Sequence, residues 1–462
     1  MDVLQRLNLS INNLRGQCYD GATVMAGRVN GVASRILEKE PRAMFTHCQM
    51  HSLNLAVQDC VSEIPVLRDF LVFVRDLIGF LRDSPKRRQI VRDVASDLTK
   101  QSHSSDVPSG CGEKVGNIRP LCPTRMTMRF HALDGLLNQA GILQEALESI
   151  SNETNDKKIL ATVSGFLRRL SDFDFYFCLI LCHSIFEKTD ILSKQLQKTT
   201  VSTGEGISLC EFTKAQLRQM RFDEVFSQLW ERTKVLAASV DADAPKLPKN
   251  RKMSRRLDQG SSGHSFDDPE SYYRSVFFQG IDSVIGHIEK RIKEEGVKIL
   301  SSIERIFKMA WSSASESPTH ENEDFLRVVD HFGEDLDKNC LLSQLKSLSY
   351  IKEESSTSDG LSVPQILKVI GSTYLKKMIP EVCRLGTLYS VSPASTATCE
   401  RSFSHLRRVK SYLRTSMGQK RLNHSCILTV YKEQVDSLNL TEIVNNFILA
   451  NEQRRKTFAI CK

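Results

Sequence analysis

Two hydrophobic periods occur in a fixed order along this chain, and that order limits its folds more than any other feature. Between residues 14 and 82, short strand-like runs alternate with helical ones; from about 127 onward only the helical period is found. "LRGQCY" (14–19) and "AMFTHC" (43–48) have the length and apolar content of strands. Residues 21–39, stopped by Pro41, read as one helix, and so does the stretch 51–82 with Leu53, Leu55, Val57, Val61, Leu67 and Leu71. Residues 1–11 read as the end of a helix. A strand-helix-strand-helix order predicts a parallel sheet, because parallel neighbours need a crossover between them.

The remainder predicts helices separated by polar connections. Residues 101–120 and 241–268 are rich in Gly, Ser, Pro and charge, and read as a loop and a disordered linker. Within the linker, "KNRKMSRR" fits either a phosphate-binding or localisation patch or a solvated loop. Helical spacing covers 127–236, resumes at "SYYRSVFFQGIDSVIGHIEKRI", and after loops at 312–324 and 352–362 fills 363–450. No internal repeat is evident. At 462 residues the chain exceeds one compact core and predicts two or three domains.

Composition narrows the setting. No run of about 18 apolar residues exists, since Arg75 and Asp76 interrupt "FLVFVRDLIGFL", so no membrane span is expected. The start "MDVLQRLNLS" lacks the basic and apolar segments of a signal peptide. Thirteen scattered cysteines fit a reducing compartment better than a disulfide framework. Cys178 and Cys182 lie in the apolar "FDFYFCLILCHSIF" and read as buried thiols rather than metal ligands. No zinc-finger spacing is present. A net charge of +8 and a pI near 8.8 are compatible with an anionic partner without requiring one.

Three blocks carry a resemblance. They are "RGQCYDGATVMAGRVNGVASRI", "HCQMHSLNLAVQD" and "LYSVSPASTATCERSFSHLRRVKSYLRTSMGQKRLNHSCIL", with "LCPTR" at 121–125 between the second and third. In this order they resemble the hAT superfamily of DNA transposases, in particular the relatives described as MYM-type zinc-finger-like proteins, over nearly the whole chain. The resemblance implies an α/β fold with a large all-α insertion, mostly helical overall: an incomplete ribonuclease-H-like core interrupted by a helical domain. The implied segments are a partial core at 1–100, a helical insertion at 101–362 that holds the linker, and a dimerisation region at 363–462 completing the core. The family's chemistry is two-metal phosphoryl transfer, in which carboxylates clamp Mg²⁺ ions.

Carried over by motif, Asp20 matches the second catalytic aspartate and Glu400 in "CERSFS" the catalytic glutamate. Cys48 and His51 match a Cys-x-x-His pair near bound DNA; with Arg125 and Arg401 they are the implied DNA-contacting residues. Phe403, Leu406, Val409 and Leu413 recur at three- and four-residue steps and form the implied dimerisation face, beside the basic Arg401, Arg407, Arg408, Lys410 and Arg414. Blander readings stand beside these. Asp20 before Gly21 also fits a helix cap, Glu400 next to Arg401 a surface ion pair, and His51 a packing or capping residue.

The pattern is incomplete. Only 19 residues precede Asp20, and Asp2 is the sole acid among them. A first strand, a hairpin and a crossover need roughly 40 residues on typical element lengths. Asp2 is therefore not the first aspartate, and Asp20 with Glu400 would hold a single Mg²⁺ weakly. Met126 stands after "TR" where relatives carry an aromatic. The strand at 14–19 is expected to leave an apolar edge that another chain could cover. These features predict a catalytically inactive, transposase-derived protein that needs no cofactor. It would act in the nucleus through association with itself or other proteins, with DNA as a further partner. The alternative is an active, Mg²⁺-dependent transposase or nuclease, should an aspartate be encoded upstream.

Overall fold

The computed structural model describes residues 4, 6–101, 121, 126–197, 203–247, 266–292, 295–313, 317–354, 360–372, 374–393, 395–411 and 416–458. These fall into two compact units, Met1–Ser395 and Thr396–Lys462.

The first unit begins with the predicted strand pair. Strand β1 (Gly16–Tyr19) runs parallel to β2 (Met44–His47), in register from Gly16 opposite Met44 to Tyr19 opposite His47. The crossover differs from the single helix expected over 21–39. It contains two short helices, α1 (Thr23–Ala26) and α2 (Val32–Leu37), with a break between them. Glycine causes the break: a Cβ at Gly27 would lie 2.4 Å from the Thr23 carbonyl oxygen, and one at Gly31 would lie 2.5 Å from the Gly27 backbone. The chain doubles back where only glycine fits, so one continuous rod cannot form.

The expected helix after β2 is two helices. Helix α3 (Gln49–Glu63) yields to α4 (Pro65–Arg82) because Pro65 cannot donate into a continuing ladder but suits a first helical turn. On α3 the buried set Leu53, Ala56, Val57, Cys60 and Val61 follows the three-and-four spacing of one helix face. A seven-residue repeat runs through α4: Leu67-Arg68-Asp69, Val74-Arg75-Asp76 and Leu81-Arg82-Asp83. It sets Leu67, Val74 and Leu81 inward with Phe70 and Leu77. The expectation of a chain without repeats is corrected in this helix.

Helices α5 (Pro85–Gln101), α6 (Met126–Asn138), α7 (Ala140–Asn152), α8 (Lys157–Leu170), α9 (Phe173–Leu196), α10 (Thr203–Gln219), α11 (Asp223–Ser239) and α12 (Pro269–Ile292) follow. Helix α9 is buried on nearly every side, from Phe173 through Cys182 to Leu196, as its uninterrupted apolar sequence requires. Helices α3, α4, α6, α10, α11 and α12 pack around it. One hydrophobic cluster therefore joins residues 53–91 to residues 132–288. The aromatic set Phe173, Phe177, Trp230 and Tyr273 interlocks at its centre, with ring centroids 4.7–6.5 Å apart.

A second cluster is built from α13 (Glu295–Ser312), α14 (Glu323–Phe332), α15 (Lys338–Leu345), α16 (Leu348–Glu354), α17 (Val363–Ser372) and α18 (Pro380–Val391). Met44 of β2 joins this cluster, so the strand pair is anchored to α13 rather than to the α9 bundle. Gly296 makes the approach close: a Cβ there would sit 2.2 Å from the Phe45 carbonyl oxygen. Glu304 of α13 links the two clusters. Its carboxylate accepts from the Gly204 N–H at 2.8 Å with both oxygens and from the Tyr389 hydroxyl at 2.7 Å.

The second unit comprises α19 (Ala397–Val409), α20 (Gln419–Val430), α21 (Lys432–Asp436), α22 (Leu440–Leu449) and α23 (Glu452–Thr457). Helix α19 packs on α20, and α22 on α23. Among the described residues of this unit, Val409, Leu422 and Ile448 are the buried hydrophobics. No helix among the described residues is long and apolar enough to cross a membrane.

Candidate functional site

Parallel pairing brings the ends of β1 and β2 side by side, and the residues singled out in the sequence follow those ends directly. Asp20 succeeds β1 and Cys48 succeeds β2, where the Cys48 N–H extends the ladder to the Tyr19 carbonyl at 2.9 Å. In parallel sheets this carboxyl-end rim is where ligand sites form, because connecting loops and helix N-termini converge there.

Asp20 is half-buried, and its Oδ1 accepts from the Ala22 N–H at 3.2 Å, closing the turn that leads into α1. This is the local, capping-type role open to an aspartate before glycine. The turn rests on α3: a Cβ at Gly21 would meet Leu55 Cδ1 at 2.8 Å and the His51 ring at 3.6–3.7 Å. His51 thus lies beside the Asp20 turn, on the first turn of α3, three residues after the fully buried Cys48.

A segment distant in sequence completes this rim. Thr46 Oγ1 donates to the Pro393 carbonyl at 2.6 Å, and Cys48 Sγ lies 3.8 Å from Ser395 Oγ. Gly16 faces the same stretch, since a Cβ there would lie 2.6 Å from Ser392 Cα. The rim therefore assembles Asp20, Cys48, His51 and Ser395. Thr46 and Ser395 were not foreseen; nothing local in the sequence couples positions some 350 residues apart.

Charged side chains secure β1 and the β2 entry. Arg15 donates from Nε and Nη2 to Asp335 Oδ2 and Oδ1 at 2.5 and 2.8 Å. Arg42 donates to both oxygens of Glu40 at 2.7 and 2.9 Å, and lies 3.4 Å from Asp335. The hydrogen bonds from Arg15 hold the Asp335 carboxyl below the usual carboxylate range, and those from Arg42 do the same for Glu40. Beneath them Gln17 is buried, donating to the Ala33 and Ala43 carbonyls at 3.3 and 3.0 Å.

The other expected site residues divide between the second unit and positions outside the description. Arg125 and Leu413 lie outside the described residues, as do Asp2 and "KNRKMSRR". Glu400 falls within α19, but its side chain is outside the description. Arg401 is exposed, Phe403 is 69% exposed, Leu406 is half-buried and Val409 is buried, all on α19. Among the described residues, no group of three His, Cys, Asp or Glu side chains is placed to hold a metal ion. With Asp20 Oδ1 engaged by Ala22, the described residues do not assemble a Mg²⁺ site. Cys178 and Cys182 are buried, as expected, and burial pushes both thiols up.

Comparison with known proteins places these features. A family model described as the ZMYM1/FAM200 RNase-like domain matches residues 1–31, which span β1 and Asp20. A model of the hAT family C-terminal dimerisation region matches residues 374–433. The human 52 kDa repressor of the inhibitor of the protein kinase is 22% identical over 441 residues, covering 93% of this chain and 54% of that protein. The mouse protein of the same name is 22% identical over 440 residues with the same coverage. The chain thus spans about half the length of the curated relatives it matches. By these matches the chain is a relative of the hAT transposases and carries that family's C-terminal dimerisation region.

Proposed function

We propose that this chain is a transposase-derived protein that acts by associating with itself and other proteins through its C-terminal region, and with DNA, rather than by cutting DNA. The supporting observation is apolar surface within the matched dimerisation region: Phe403 is 69% exposed, and Ile427, Leu428 and Tyr431 are 53–55% exposed. Water-facing side chains of this size, concentrated in one helical unit, are what a covering partner removes from solvent.

In this reading the strand pair and its helices are an incomplete ribonuclease-H-like core, 101–362 is the helical insertion, and 363–462 closes the core and dimerises. Asp20 and Glu400 are inherited catalytic positions, and Asp20 now serves its own turn. Were the site active, Mg²⁺ would supply charge neutralisation at the scissile phosphate, with Asp20 and Glu400 as its ligands. DNA contact at Cys48, His51, Arg125 and Arg401 is supported by the net charge of +8 and by exposed Arg401, Arg407 and Arg408 on α19. Nuclear localisation accords with relatives named as repressors.

Light scattering on the chain at low micromolar concentration is expected to give a dimer, and a strict monomer would refute self-association. The non-catalytic assignment is checked separately by nicking assays on plasmid DNA with Mg²⁺. Cleavage that disappears in both Asp20→Ala and Glu400→Ala would overturn it in favour of an active transposase or nuclease.

A further inference from the structure

Helix α22 lies beyond the matched dimerisation region and has no covering layer on one face. Leu440, Ile443, Val444 and Phe447 repeat at the three-and-four spacing of a single helix face and are 67%, 46%, 40% and 54% exposed. The helix itself is well formed. Asn439 caps it by accepting from the Glu442 N–H at 3.3 Å, and Arg454 of α23 stacks over the Phe447 ring at 3.8 Å while donating to the Phe447 carbonyl. An exposed apolar face on a capped helix buttressed by its neighbour is a surface, not a frayed end.

We propose that this face of α22 docks on a second copy of the same chain, extending the dimer interface past residue 433. The inference rests on the self-association proposed above. Two observations select a second copy over another protein. First, the patch continues the dimerisation region: exposed Tyr431 ends its last helix, and exposed Leu438 leads from there into α22. Second, the face bears no Lys, Arg, Asp or Glu, and Glu442, the one charged residue of α22, is not part of the Leu440-Ile443-Val444-Phe447 set. In a two-fold contact each patch meets its own copy, so any charge at the centre would face a like charge. An uncharged face is self-complementary, whereas partners of a different kind are steered by opposite charges.

The experiment is sedimentation analysis of the full chain across concentration, comparing three proteins. The paired variant Ile443→Glu with Phe447→Glu is expected to raise the dimer dissociation constant at least 100-fold. The pair Ile427→Glu with Leu428→Glu, inside the matched region, tests the dimerisation reading itself. Weakening by both pairs supports the proposal. Weakening by the 427/428 pair alone overturns it while leaving the dimerisation reading intact, and a monomeric wild-type chain overturns both. Hydrogen exchange on the unmutated chain removes any dependence on variant folding. Slowing of exchange at 440–449 that grows with protein concentration supports the proposal. Slowing already complete in the monomer would mean that the face is covered within one chain, and would overturn it.

Discussion

Replacing Arg15 by methionine tests whether a charged clasp holds the site-bearing strand. Methionine keeps an unbranched apolar stem, so the change isolates the guanidinium. The wild-type contact is bidentate at 2.5 and 2.8 Å, with the Arg15 and Asp335 side chains 12% and 17% exposed. Hydrogen bonds to charged groups contribute about 1.5–3 kcal/mol each. Residual exposure favours the lower figure, and Asp335 keeps Arg42 at 3.4 Å, so its charge is not left alone. The expected loss is roughly 3 kcal/mol, which for a unit of this size lowers Tm by about 6 °C. Arg15→Lys keeps the charge without the planar fork and is expected to lose about half as much.

The pH dependence follows from the direction of the shift. The Asp335 carboxyl is held below its ordinary value by Arg15, so its contribution is fully present above the unfolded value near 3.9. That contribution is lost as pH falls through the lower folded value. Glu40, held down by Arg42, follows the same sign. Thermal unfolding followed by circular dichroism from pH 7 into acid should therefore show the wild-type advantage over Arg15→Met closing below about pH 4. An Arg15→Met protein that melts with wild type at pH 7, or keeps a constant deficit through acid, would refute the clasp.

Three further outcomes are expected. Gly296→Ala places a Cβ 2.2 Å from the Phe45 carbonyl oxygen, a backbone atom that cannot turn aside; stability should fall by about 2 kcal/mol or more, read as a shifted denaturation midpoint. Glu304→Gln keeps one acceptor oxygen where two now serve Gly204 and Tyr389, and urea unfolding should show a loss of about 2 kcal/mol. Cys60 and Cys210, whose thiols burial pushes up to about 11 and 12, should resist labelling at pH 8 along with Cys178 and Cys182, while exposed Cys340 and Cys399 react. Rapid modification of Cys182 in the folded chain, located by peptide mass, would contradict the buried α9.

The periodic elements were legible in the sequence. The parallel pair formed at 16–19 and 44–47, inside the expected runs, because a short apolar segment bounded by polar residues has few other folded states. The burial of α9 was likewise written in its unbroken apolar sequence. The crossover was not, since helical propensity over 21–39 said nothing of the close backbone approach at Gly27 and Gly31. The candidate site divided in the same way. Motif order pointed to Asp20, Cys48 and His51, whereas Ser395, Thr46 and the Arg15–Asp335 clasp depend on contacts across more than 300 residues.

What the sequence by itself determined is therefore local: where strands and helices form, which faces are apolar, and which motifs carry the hAT resemblance. Backbone preference and hydrophobic period act over a few residues, so a single segment suffices to express them. Only the tertiary structure decided that Met44 anchors the strand pair to α13, that Glu304 links the two hydrophobic clusters, and that the second unit leaves the α22 face uncovered. Those outcomes depend on which surfaces meet, and an apolar stripe reads the same in sequence whether it ends in a core or faces water.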